Sequence, residues 1–167
     1  MGAAFEAIVG AAQVERPADT RLAGARVDSI VRPASALELA ACLRAASEAK
    51  LAVVAFGAGT RQHLGNPLDT EECVRLELGR IAEHVDVNPD EGIATVDAGV
   101  RIGELRARLD ACDKTSLFTE LAPGGSVGGA FAADPIGPDW TLDRRLANEV
   151  LGVEVALANG ELAAAGG

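Results

Sequence analysis

Phe56-Gly57-Ala58-Gly59-Thr60 follows an apolar run, Leu51 to Val54, that reads as a buried strand. The next nine residues, Arg61 to Asp69, contain Gly65 and Pro67 and cannot continue as a helix. The glycines therefore sit on a loop that leaves a strand, not on a strand-to-helix turn. Two glycines around a small residue let main-chain N–H groups turn inward and approach a ligand closely, an arrangement suited to an anion such as a phosphate. A second cluster, Pro123-Gly124-Gly125-Ser126-Val127-Gly128-Gly129, comes about sixty residues later. It leads into a short apolar run expected to be a helix starting at Ser126, whose free N–H groups would face a phosphate. The central expectation is that the two loops meet and grip one diphosphate.

Several competing readings of the first loop fail on spacing. The dinucleotide fingerprint needs a third glycine where Gln62 stands, and a helix after it. No Gly-Lys-Ser/Thr phosphate loop occurs. Taken alone, Gly57-Ala58-Gly59 fits a tight turn as well as it fits a ligand loop, and the second cluster alone fits close packing of a helix on a sheet.

The totals narrow the classes of function. In 167 residues, 49% are apolar, enough for a real core in one domain or two small lobes. Aromatic residues make up 3% and tyrosine is absent, which argues against base stacking on nucleic acid. The formal net charge of −10 argues against a phosphate-backbone partner or an anionic membrane surface. An anionic ligand would have to bind through amides and one or two arginines. Cys42, Cys73 and Cys112 are odd in number and widely spaced, with no CxxC pair, so no zinc or thiol-redox site is expected. Cys42 and Cys112 are expected on apolar helix faces. His63 and His84, the two histidines, are too isolated for a metal site or a hydrolase triad. No apolar run is long enough to span a bilayer. The expectation is a cytoplasmic protein without direct membrane insertion.

Along the chain, residues 1 to 13 read as a helix with Phe5, Ile8 and Val9 on one face, followed by a loop. Val27 to Val31 reads as a strand. Ser35 with Glu38 forms a capping box for a helix whose core side is Leu39, Cys42, Leu43 and Ala46. With the strand at Leu51–Ala55 this makes a strand–helix–strand unit, expected as a parallel pair with a right-handed crossover. Further strands are expected at 73–78, 83–87, 93–97 and 150–158. A helix at 101–112 presents Ile102, Leu105, Leu109 and Cys112, and Asn159-Gly160 makes a hairpin turn.

The ordered set VVRPAS, AVVAFGAGT, GIATVDAGVRIGEL, PGGSVGGAFAAD and LGVEVALANGEL resembles the FAD-binding (PCMH-type) domain shared by vanillyl-alcohol oxidase and p-cresol methylhydroxylase. The resemblance is particular to the FAD-binding subunit of bacterial glycolate oxidase and runs from about Val27 to the end. It implies an α+β fold of two lobes, about 27–78 and 79–167, behind an N-terminal helix and loop at 1–26. It implies that Gly57, Ala58, Gly59, Thr60 and Arg61 hold the FAD diphosphate, with Ser126, Val127, Gly128 and Gly129 opposite and Pro123 shaping the entry. Val155 would lie at the adenine and Gly137 near the flavin. Thr60 stands where some members carry a flavin-linking histidine, so the resemblance implies non-covalent FAD. It further implies hydride transfer from a 2-hydroxy acid within an oxidoreductase that has partner subunits, through which it could associate with a membrane. The substrate-binding cap domain that follows in such enzymes is expected to be missing. A non-catalytic FAD-binding or interaction module is the alternative. No catalytic base is indicated. Asp134 is expected near the flavin ring.

Overall fold

A computed structural model describes residues 2–121, 123–134 and 145–166. The chain forms two compact units. One comprises residues 1–56, 62–80 and 153–165, and the other 57–61, 81–152 and 166–167.

The first unit is built on a five-stranded sheet. Its strands are β1 (Val14–Glu15), β2 (Arg21–Leu22), β3 (Ala25–Val31), β4 (Ala52–Phe56) and β5 (Glu72–Glu77). β1 and β2 run antiparallel to β3, whereas β5 is parallel to both β3 and β4. β3 and β4 are thus parallel, as the strand–helix–strand pattern suggested, but they are not a pair, because β5 lies between them. That order also corrects the burial expected of β4. As an edge strand with one neighbour it is only half-buried, while Val27, Val31, Cys73, Val74 and Leu76 of the inner strands are fully buried.

A β-bulge at Asp28 resets the phase of β3. Val27 pairs with Cys73, and the next pairing is Ser29 with Val74. The extra residue lets Val27 and Ile30 serve one core, with Ala25 and Cys73, although three positions separate them. On the other core, Val31, Val74 and Leu76 pack with Cys42 and Ala46 of α2 (Ala36–Glu48) and Phe5 and Val9 of α1 (Gly2–Val9). The N-terminal segment is therefore part of this unit rather than a preface to it, and its supposed loop supplies β1 and β2.

α2 begins where the capping box placed it. Ser35 Oγ accepts from Glu38 N at 3.2 Å, and Glu38 Oε2 accepts from Ala34 N at 2.7 Å, one residue earlier than in the usual reciprocal box. Ser35→Ala is expected to cost about 1 kcal/mol, read as a lower urea midpoint for the first unit.

β8 (Gly152–Ala156) and β9 (Leu162–Gly166) form a two-stranded sheet. Its turn returns to the first unit and docks on α2. Arg44 donates to the carbonyls of Asn159 and Gly160 at 3.4 and 3.0 Å. Gly160 is buried there with φ +78. The lobe boundaries drawn from sequence missed both this return and the transfer of residues 57–61 to the second unit.

In the second unit β6 (Val85–Asn88) and β7 (Ile93–Val96) form the expected hairpin. α3 (Ile102–Asp110) buries Ile102, Leu105 and Leu109 against Leu117, Phe118, Leu121, Leu146 of α5 (Leu146–Glu149) and Ala130 of α4 (Val127–Ala133). α3 ends before Cys112, which is half-buried in the turn beyond instead of on the core side.

That difference separates the three thiols. Burial pushes Cys42 up from 9.0 to about 11, with the Glu38 charge adding to it, and burial also raises Cys73. A thiol reagent near neutral pH should therefore label Cys112 fast, and Cys42 and Cys73 only on unfolding. The unfolded chain gives up these protons first as pH climbs. Stability should thus be unaffected by them below pH 9.0 and fall between 9.0 and about 11. A stability–pH profile flat across that window would contradict this.

Candidate functional site

Gly57–Arg61 leaves the end of β4, and both glycine clusters belong to the second unit. Gly59 has φ +70, a left-handed conformation that a β-carbon disfavours. Gly57 is required for a different reason. A Cβ there would lie 2.1 Å from Ser126 Oγ and 3.2 Å from Ser126 Cβ. The two loops therefore meet at main chain against side chain, as the sequence predicted. Among the described residues, no hydrogen bond engages the amides of Gly57, Ala58, Gly59, Thr60 or Arg61. Five successive donors thus have no acceptor among the described residues.

The second cluster is not the free loop expected. It is laced to Ala98–Gly103 by main-chain bonds. Ile102 N donates to Gly125 O, Gly103 N to Pro123 O, Val127 N to Val100 O and Gly128 N to Ala98 O, at 2.8–3.0 Å. Arg101 lies opposite Ser126 in an isolated antiparallel bridge. Ser126 is buried and caps α4, accepting from Gly129 N at 3.3 Å.

This corrects the roles expected of three residues. The amides of Val127, Gly128 and Gly129 already have acceptors, so they do not aim free donors at an anion. Gly128 is a packing glycine, since a Cβ on it would approach Ala98 Cβ to 2.8 Å and Ala98 O to 3.1 Å. Among the described residues, the amides on this side without an acceptor are those of Gly124, Gly125 and Ser126. Pro123, expected to shape the entry, is exposed, and its Cβ would lie 3.1 Å from a Cβ on Gly103. Sequence reading missed the lacing segment because main-chain bonds carry no side-chain signature. The one available hint was the small pair Ala98-Gly99 before Val100.

Val155 lies on β8, within the first unit, and is 38% exposed. Gly137 lies outside the described residues. Thr60 and His63 are exposed. Asp134, expected at a flavin ring, closes α4 in the left-handed conformation and pairs with Arg145, which offsets its charge. Among the described residues no group of His, Cys, Asp and Glu is arranged to hold a metal, and no helix is long and apolar enough to cross a membrane.

A family model described as an FAD binding domain matches residues 27–166. The chain belongs to this FAD binding domain family. The domain is 30% identical over 141 residues to D-lactate dehydrogenase of Archaeoglobus fulgidus, covering 83% of this chain and 31% of that one. It is 26% identical over 170 residues to 1'-carboxy-chondrochloren decarboxylase of Chondromyces crocatus, covering 95% of this chain and 31% of that one. Among solved structures it superposes on p-cresol methylhydroxylase with a TM-score of 0.80 at 17% identity, covering 98% of this chain and 34% of that one. For 4-ethylphenol oxidase of Gulosibacter chungangensis the TM-score is 0.78 at 22% identity, covering 98% and 34%. The α+β, PCMH-type fold expected from sequence is thus the fold found. The FAD binding domain spans about a third of the length of these relatives. The two loops fit an FAD diphosphate in chemistry: among the described residues, amides without an acceptor lie on both sides of the contact between Gly57 and Ser126.

Proposed function

We propose that the chain binds FAD non-covalently, with the diphosphate between the amides of Gly57–Arg61 and those of Gly124–Ser126. The observation that carries this reading is the approach of Gly57 to Ser126, which brings together two sets of donors that have no acceptor among the described residues. Arg61 adds a positive charge at the end of the first loop. Val127, Gly128 and Gly129 serve by shape, holding α4 and the second loop in place. Val155 is proposed for the adenine end, on the family resemblance. Non-covalent attachment is supported by Thr60 at the linking position and by the absence of histidine from residues 57–61.

The bound flavin supplies hydride-accepting chemistry, and the protein orients it. We further propose that the oxidised substrate is a 2-hydroxy acid, in a glycolate-oxidase-like subunit acting with partner subunits. The 30% identity to a D-lactate dehydrogenase supports that class of substrate. The second reading is an FAD-binding or interaction module without its own substrate site.

Purified protein should show visible flavin absorption, and acid precipitation should leave FAD in the supernatant. Colour retained in the pellet would contradict non-covalent binding, and colourless protein that takes up no added FAD would overturn the function. Anaerobic bleaching by a 2-hydroxy acid separates the two readings, since the module alone would stay yellow.

A further inference from the structure

We infer that Arg101 is a second cationic ligand of the diphosphate, a role carried by the lacing segment Ala98–Gly103 rather than by either glycine loop. The inference rests on the FAD reading above. Arg101 and Ser126 face one another across an antiparallel bridge. Directly opposed residues of such a pair project their side chains to the same side of the ladder. Ser126 uses that side to meet Gly57, so the Arg101 side chain leaves on the side where the first loop approaches.

Its guanidinium is tethered without being used up. One terminal nitrogen donates to Gly124 O at 3.1 Å, which leaves the rest of a five-donor fork for other acceptors. The residue is exposed. Among the described residues no carboxylate pairs with it, whereas Arg16, Arg26, Arg32, Arg75 and Arg145 all have carboxylate partners. A charge with no carboxylate partner among the described residues, tethered beside Gly124, matters here because the whole chain carries −10 and repels an anion at long range. Arg101 has no part in capping α3 through its side chain, so replacing it removes no helix cap.

The test uses Arg101→Met and Arg101→Lys, with folding checked by circular dichroism and FAD affinity read from flavin fluorescence. Titrations are run at about 0.05 M and about 0.5 M sodium chloride, on either side of the salt that screens charges beyond about 10 Å. Arg101→Met should bind FAD about tenfold more weakly at low salt. The gap should narrow severalfold at high salt, while Arg101→Lys stays within about threefold of the parent. Unchanged affinity in Arg101→Met would overturn the inference, and so would a loss independent of salt or an equal loss in Arg101→Lys. A parent chain that binds no FAD at either salt would instead take down the function on which the inference rests.

Discussion

Gly57→Val should lose FAD affinity by about ten- to a hundredfold while the protein still folds. The added carbons occupy space that Ser126 Oγ and Cβ already hold, at 2.1 and 3.2 Å from the first of them. Relief requires Ser126 to give up Gly129 N or the loops to part. Overpacking of this kind costs about 1–3 kcal/mol, and each 1.4 kcal/mol charged to the bound geometry is about tenfold in affinity. A compensating change separates this cause from a general loss of fold. Ser126→Gly removes both clashing atoms, and glycine at an N-cap costs only a few tenths of a kcal/mol relative to serine. Gly57→Ala combined with Ser126→Gly should therefore recover most of the affinity that Gly57→Ala loses, a coupling measurable in a double-mutant cycle. Strictly additive losses would mean that the contact does not set the spacing of the loops.

Gly160→Ala should be the most damaging single methyl in the first unit. With φ +78, alanine strains the main chain by about 1–2 kcal/mol. The new Cβ would also lie 2.6 Å from Arg44 Cβ and 2.7 Å from Ala40 O. Adding an overlap of about 1–3 kcal/mol gives a total of about 2–5 kcal/mol. The loss should be local. Amide exchange in β8 and β9 should accelerate markedly, while protection in α3 stays as it was. Equal acceleration across both units would show that the docked turn is not a separable element.

The legibility of the sequence follows the range of each interaction. Ser35 and Glu38 announce a helix start within four residues, and Gly57, Gly59, Ser126 and their neighbours announce two small-residue loops. Those readings are local and the structure keeps them. The insertion of β5 between β3 and β4 is a pairing across some forty residues, and nothing in Ala52–Phe56 distinguishes an edge strand from an inner one. Arg44 reaches Gly160 across more than a hundred positions. In the candidate site, the sequence showed which residues are small but not where their amides point. The cluster at Pro123–Gly129 therefore looked uniformly available, although Ala98 and Val100 had claimed the amides of Gly128 and Val127. The resemblance of five ordered segments supplied what local chemistry could not, namely that both loops belong to one cradle.

At 17.0 kDa the chain suits amide-resolved magnetic resonance during titration with FAD. The amides of Gly57–Arg61 and Gly124–Ser126 should shift together along one binding curve, in the direction of new hydrogen bonds. Val127 and Gly128, already bonded to Val100 and Ala98, should move far less. A response confined to one loop, or two loops following different curves, would contradict a single diphosphate held between them.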